Sequence, residues 1–311
     1  RQMVQILTAG QFVRESVSGL VFNAFSKVAA QTYQASLENQ SREDDPLDWA
    51  LTKKHLGAVL QALAERTNDM DTLAAAAAAL RGALDVLTRA EFPRAWAATQ
   101  NRLGQVLYRL DSRTGERDML GDSLNAFQAA LMVFTRSETP LLWAEVMNNF
   151  AQAAQVLGQQ LRNTEVLTKA ADACRAALTV RTEAADPLPF AATQNTLGSA
   201  LFLLEKMTKN ANRLHGVAEA FDLASGVYRA RGMDKIAAIT EKNLGRVNQL
   251  LDQSQPKGVP RMRWEGDDPR VGGEDRKRKR PRWAKAKIRK PALPGASPTA
   301  ARFRARKSWR C

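Results

Sequence analysis

The chain has 311 residues, and its net charge of +14 is unevenly placed: 19 basic and 5 acidic residues lie from Gln253 onward, which leaves 27 of each sign before it. Binding of nucleic acid or anionic lipid must therefore depend on the basic tail. Two cysteines are too few for a disulfide-stapled secreted domain, and we expect a reducing compartment. No apolar run reaches the roughly 18–20 residues of a membrane span.

The sequence of residues 1–45 predicts a degenerate N-terminal helical cap that includes part of a repeat. Tyr33 and Leu37 lie 47 residues before Leu80 and Leu84. An atypical terminal unit is what a repeat array needs at its end. Because the chain starts with Arg1, we expect a fragment or a processed product. The apolar residues that occur at helical spacing in this segment are Val17, Leu20, Val21, Ala24 and Val28.

A unit of 47 residues recurs after this segment. Its first residue is Pro46, Pro93, Pro140 or Pro187, and three residues later the chain has Trp49, Trp96, Trp143 or Phe190. A fixed period of this size predicts an array of stacked helix pairs. The predicted units are 46–92, 93–139, 140–186 and 187–233, followed by a final helix over 234–251.

Each unit predicts two helices, because apolar residues recur three and four positions apart. In the second unit we expect helices from about Arg94 to Leu110 and from about Met119 to Arg136. Small residues recur in the first helix, where they let two helix backbones approach closely. They occur at the same position of successive units, and we call such a set a column. The small-residue column consists of Gly57, Gly104, Ala151, Gly198 and Gly245. The facing column of the second helix reads Leu80, Phe127, Cys174, Phe221.

These residues resemble the tetratricopeptide repeat (TPR) family over about residues 46–251. The shared features are Trp–x₆–Leu–Gly in the first helix, the boundary proline and a second-helix pattern close to Ala–x₃–Phe–x₂–Ala. In the four units this second-helix pattern reads Ala76, Leu80, Ala83; Ser123, Phe127, Ala130; Ala170, Cys174, Ala177; and Val217, Phe221, Ala224. The period of 47 exceeds the usual value of about 34, so the chain looks like an elongated variant. The resemblance implies an all-α, right-handed α-solenoid of antiparallel helix pairs whose first helices line the concave side and bind a protein or peptide.

The register of the resemblance places a set of polar and aromatic side chains on that concave face. One asparagine per unit (Asn101, Asn148 and Asn195) forms a column in this set. These side chains could hold the backbone of an extended peptide, or they could bond neighbouring helices to one another. The predicted partner-binding residues are Lys54, Asn101, Gln105, Tyr108, Arg109, Asn148, Gln152, Gln155, Asn195, Phe202, Lys242 and Arg246. The three tryptophans are expected to pack between units instead, since aromatic side chains contribute a large buried area.

The tail, 252–311, is rich in Pro, Gly, Lys and Arg, and we expect it to be disordered. An alternative function for the chain is binding of nucleic acid or another polyanion by this tail, and a solvated tail with incidental binding is the competing interpretation. A further interpretation is that the tail is not native reading frame. The candidate polyanion-binding residues are Arg276, Lys277, Arg278, Lys279, Arg280 and Arg282.

No catalytic or metal-binding pattern accompanies these features. The histidines, His55 and His215, occupy unrelated places in their repeats, and no phosphate-binding glycine motif occurs. We therefore expect a non-enzymatic scaffold or regulatory module, without a cofactor or a metal. Its expected location is the cytoplasm, or the nucleus if the source is eukaryotic.

Overall fold

The computed structural model describes residues 22–254, apart from 115–116 and 210. These residues belong to one compact unit, Arg1–Gly258. Every regular element in them is a helix, and no strand occurs among them. The ten α-helices of the described residues are α1 (22–39), α2 (Pro46–Thr67), α3 (Met70–Leu84), α4 (Pro93–Thr114), α5 (Arg117–Leu131), α6 (Pro140–Gln160), α7 (Thr164–Leu178), α8 (Pro187–Thr208), α9 (Leu214–Ala230) and α10 (Asp234–Ser254), and a 3₁₀ helix spans Ala211–Arg213.

The helices pack neighbour against neighbour, which confirms the predicted α-solenoid of helix pairs. The pairs are α2–α3, α4–α5, α6–α7 and α8–α9, and each second helix also packs against the first helix that follows it. Successive first helices touch one another along α2, α4, α6 and α8, whereas successive second helices hardly meet. The first helices therefore form the side on which successive pairs approach one another most closely, and we call this side the inner face.

The helix pairs interlock through the column of small residues. An added Cβ at Gly57 would lie 2.7 Å from Leu80, and one at Gly104 would lie 2.7 Å from the Phe127 ring. The same atom at Gly198 would lie 2.9 Å from Phe221. The first helix therefore carries no side chain at these three places, because the partner helix already fills the space.

The third pair makes this contact with different residues. Its first helix carries Ala151, and the facing position of its second helix is Cys174, which lies in the same core cluster. A methyl group has been added on one side of the contact and a large side chain removed on the other. The two columns thus compensate in volume, as close packing of the interior requires.

The connections between pairs share a hydrogen-bonded turn that the sequence analysis did not predict. The hydroxyl oxygens of Ser41, Thr88, Thr135 and Thr182 each accept a bond of 3.2 Å from the backbone N–H three residues later. This turn is typical of Ser and Thr after a helix. It also corrects one boundary, because α5 ends at Leu131 rather than near Arg136 and the chain then turns.

Helix α1 departs from the predicted apolar face. Its buried residues are Ser26 and Ala30, whereas Val28 is 59% exposed and Ala24 is exposed. Tyr33 and Leu37 pack in part against the core formed by α2, α3 and α4, in the register of the second helices. The buried face is therefore set by contact with α2 and not by local hydrophobicity. The predictions for Val17, Leu20, Val21 and residues 255–311 lie outside the described residues.

Candidate partner-binding surface on the first helices

The predicted partner-binding residues lie on α2, α4, α6, α8 and α10, and they differ in exposure. The register of the resemblance predicted an exposed side chain at Asn148, but this residue is only 6% exposed. Arg109, Lys242 and Arg246 are exposed. The half-buried members are Lys54, Asn101, Gln105, Tyr108, Gln152, Gln155, Asn195 and Phe202.

The Asn column bonds to neighbouring first helices. The Asn101 amide donates to Glu145 Oε1 at 3.0 Å and accepts from Asn149 Nδ2 at 3.1 Å, so it joins α4 to α6. Asn195 Oδ1 accepts from the Thr240 hydroxyl of α10 at 3.5 Å. Asn148 Oδ1 is buried and has no hydrogen-bond partner among the described residues. These contacts favour the second interpretation of the column, in which Asn holds the array together.

A second set of polar bonds joins α2 to α4. Gln61 Nε2 donates to Gln105 Oε1 at 3.1 Å, and Arg102 donates to Gln61 Oε1 at 3.2 Å. Farther along, Arg109 Nε lies 2.9 Å from Glu65 Oε1. Gln105 and Arg109 are therefore engaged between helices, and a partner that needs them must compete with these bonds.

Sequence reasoning missed two of these contacting residues, Arg102 and Asn149. The bonds join residues that are 41, 44 or 48 positions apart, whereas the repeat period is 47. A column comparison aligns equivalent positions, and equivalent positions are not the ones that touch. No signal in the sequence gives these offsets, because they depend on how far one first helix slides along the next.

The middle of the inner face retains uncommitted side chains. Gln152 and Gln155 of α6 are half-buried, and neither makes a side-chain hydrogen bond to the described residues. On α8, Phe202 is partly buried against the core and partly open. On α4, burial raises the pKa of Tyr108, whose ring packs against the core around Phe127. These side chains offer amides and aromatic area to a partner.

The α2 end of the inner face carries a small cationic group. Burial lowers the pKa of the His55 imidazole, and the neighbouring Lys54 and Arg102 cations lower it further. The His55 ring stacks on Tyr33 with a centroid distance of 5.9 Å. Neither Lys54 nor Arg102 makes an ion pair with the residues that the structure describes, so their positive charge is available to an acidic group of a partner.

Two of the three tryptophans, Trp49 and Trp96, contribute to packing, as predicted. The Trp49 ring reaches to 3.6 Å from the Cβ position of Gly82 and packs in a cluster with Leu87 and Phe92, so it contacts its own pair and the start of the next. Arg42 and Lys53 lie over its ring at 5.2 Å from the centroid. This position is not an open stacking platform.

A cleft of about 410 Å³ lies between two successive connections, away from the inner-face residues described above. It is lined by Arg89 and Arg94, by the exposed Met132 and by Glu138. Arg89 donates to the Met132 carbonyl at 3.5 Å. Since the cleft presents both signs of charge, it does not point to one class of ligand.

No group of three or more His, Cys, Asp or Glu side chains in the described part of the chain could hold a metal ion. Burial raises the pKa of the Cys174 thiol to about 12, which makes it a packing residue. No helix of the described residues is long and apolar enough to cross a membrane. The predicted polyanion site, Arg276–Arg282, lies outside the described residues.

The packing and the inner surface together define a helical repeat protein built from antiparallel helix pairs. No family model matches the chain, and no curated protein matches it either. The chain is similar to the crystal structure of BtubC (BKLC) from P. vanneervenii, at 16% identity and a TM-score of 0.40, over 80% of this chain and 98% of that chain. A TM-score this low carries no argument about function, and the TPR resemblance stays a prediction.

Proposed function

We propose that the chain is a protein-interaction module that binds a peptide or protein partner on the inner face of the array over 46–251. The observation that carries the proposal is the continuous row of first helices, on which Gln152, Gln155 and Lys54 remain uncommitted while their neighbours bond between helices. A stacked array offers an extended concave surface of this kind. The module is a scaffold or regulatory part in the cytoplasm and performs no catalysis.

The interlocking of Gly57, Gly104 and Gly198 with large second-helix side chains supports the further proposal that the units are elongated tetratricopeptide repeats. The small residue of the first helix and the large residue of the second are the two positions on which the resemblance depends. If the proposal holds, the positions available to a partner are those on the first helices, because the second-helix positions are used in packing.

The test is a selection of extended peptides from a displayed library against the full chain, followed by affinity measurements on variants. Gln152→Ala combined with Gln155→Ala should weaken binding of the selected peptides at least tenfold, since amide contacts to the peptide backbone are lost. Gln128→Ala is the matched control, because Gln128 is an exposed residue on α5, a second helix. Equal binding by all three proteins would refute the inner face as the site.

A second candidate function is binding of a polyanion by the tail, which the excess of 19 basic over 5 acidic residues from Gln253 onward favours. Phosphate neutralisation would make such binding strongly salt-dependent. Deleting 253–311 separates the two functions: loss of DNA or RNA binding with peptide binding retained supports the first proposal. Loss of peptide binding together with nucleic-acid binding would support the second.

A further inference from the structure

The last helix of the described residues, α10, carries a stripe of five residues, three of them apolar, that the other described residues leave largely open. Ile239 is 63% exposed, Ile236 is 40% exposed and Leu250 is 38% exposed. With Asn243 and Arg246 they form a series at positions 236, 239, 243, 246 and 250, which alternates steps of three and four residues. This spacing puts all five on one side of the helix and is the a/d pattern by which helices pack side by side.

The side of α10 that adjoins the stripe already has its partners. Ala237, Thr240 and Val247 are buried there, and Val247 belongs to the core cluster formed with α7, α8 and α9. A fully buried helix would need apolar residues all round. The exposed stripe is therefore additional to the packing of α10 in the array, and the array does not explain it.

The charges beside the stripe are all positive. Arg229 of α9 bonds both Asp234, at 3.3 Å, and Glu241, at 2.6 Å, so these two carboxylates are held against α9, on the side of α10 away from the stripe. Lys235 and Lys242 are exposed and make no ion pair with the residues that the structure describes. Arg246 makes one weak bond, to Asn243 at 3.5 Å.

We propose that the α10 stripe docks an acidic amphipathic helix of a partner protein, with its apolar residues against Ile236, Ile239 and Leu250 and its carboxylates beside Lys242 and Arg246. This inference rests on the interaction role proposed above and assigns part of it to α10. Charge complementarity selects the occupant. A second copy would bring the same cations against each other, and the chain's own tail has an excess of basic residues.

The probe is a 21-residue peptide of three heptads with Leu at positions a and d, Glu at e and g, and Gln and Ala elsewhere. Repulsion between its Glu side chains disfavours pairing of the peptide with itself. The control peptide has the same residues in an order that disperses the Leu stripe. Since both peptides carry equal charge, non-specific attraction to the basic tail is the same for both, and the difference in affinity for the full chain reports the stripe.

Two matched variants of the full chain complete the design. Ile239→Asn should weaken binding of the striped peptide at least tenfold, whereas Leu141→Asn should leave it unchanged, because Leu141 is similarly exposed, at 59%, but lies on α6. Lys242→Ala should weaken binding two- to fivefold and reduce its salt dependence. Both Asn substitutions fall at exposed positions, and an unaltered melting curve checks that the fold is retained.

Four results would overturn the proposal. The first is equal affinity of the chain for the two peptides, and the second is an Ile239→Asn variant that binds like the wild type. The third is a wild-type dimer at micromolar concentration that Ile239→Asn dissociates, which would make a second copy the occupant. The fourth is a gain in peptide affinity when 259–311 is removed, which would make the tail the occupant. None of these involves Gln152 or Gln155, so the inner-face proposal stands or falls by its own test.

Discussion

Replacing Gly104 by Ala tests the interlocking of the helix pairs. The added methyl carbon would lie 2.7, 2.8 and 2.9 Å from three carbons of the Phe127 ring, and this ring is only 1% exposed. Because the ring is buried in a core cluster, the substitution overpacks the pair at a cost of about 1–3 kcal/mol. Ala also favours the helix by about 1 kcal/mol over Gly. We expect a net loss of about 1 kcal/mol in the free energy of unfolding.

The matched substitution is Gly121→Ala on α5, because nothing lies within 4 Å of a Cβ added there. It should gain the helix propensity without the clash, which raises stability by about 0.5–1 kcal/mol. The difference between the two variants then isolates the clash, at about 1–3 kcal/mol. Urea unfolding followed by circular dichroism measures both values. If Gly104→Ala is as stable as Gly121→Ala, the interlocking argument is wrong.

A double-mutant cycle extends the same test to the volume compensation seen in the third pair. Phe127→Cys alone should destabilise the chain by about 3–5 kcal/mol through loss of buried ring. In that background Gly104→Ala should be neutral or stabilising, because the pair then carries the Ala and Cys found at Ala151 and Cys174. The expected coupling energy is about 1–3 kcal/mol. Additive effects of the two substitutions would contradict the compensation.

Three further predictions follow from the polar and buried groups. Asn101→Ala should lower the free energy of unfolding by about 1–2 kcal/mol, because it removes both bonds between α4 and α6. Asn148→Ala should lower it by less, since the Asn148 Oδ1 has no partner among the described residues. Equal losses in urea unfolding would argue against the bonds of Asn101. In a Cys311→Ser variant, Cys174 is the one cysteine left in the chain. It should not react with a thiol reagent at pH 8 until urea unfolds the chain, because a pKa of about 12 leaves little thiolate. Rapid reaction of the native protein would disprove the burial of Cys174. Arg181→Leu should raise the free energy of unfolding by about 1 kcal/mol, because Arg181 is 7% exposed and its burial lowers its pKa in spite of the Asp186 and Glu145 carboxylates. Its Nη1 donates to the Thr193 hydroxyl at 3.1 Å and to the Pro189 carbonyl at 3.5 Å, but its Nε has no partner among the described residues. A lower melting temperature would show that these bonds compensate the buried charge.

Much of the architecture could be predicted from the sequence. The first helices begin at Pro46, Pro93, Pro140 and Pro187, where a fixed φ suits the first turn. The small and large columns identified the interface of each pair. The turn of the connections was also within reach, because Ser41, Thr88, Thr135 and Thr182 occupy one column of the 47-residue period.

Only the tertiary structure decided which polar residues of the inner face remain available. The period aligns Asn101, Asn148 and Asn195 as equivalents, yet one bonds to α6, one is buried and one accepts from α10. A hydrogen bond depends on the axial offset between two helices to within about an ångström, and no repeat pattern contains this offset. The sequence by itself therefore determined how the two helices of a unit pair, because the apolar residues that join them lie within one unit. Which side chains of the inner face remain available was decided by how one pair is placed on the next.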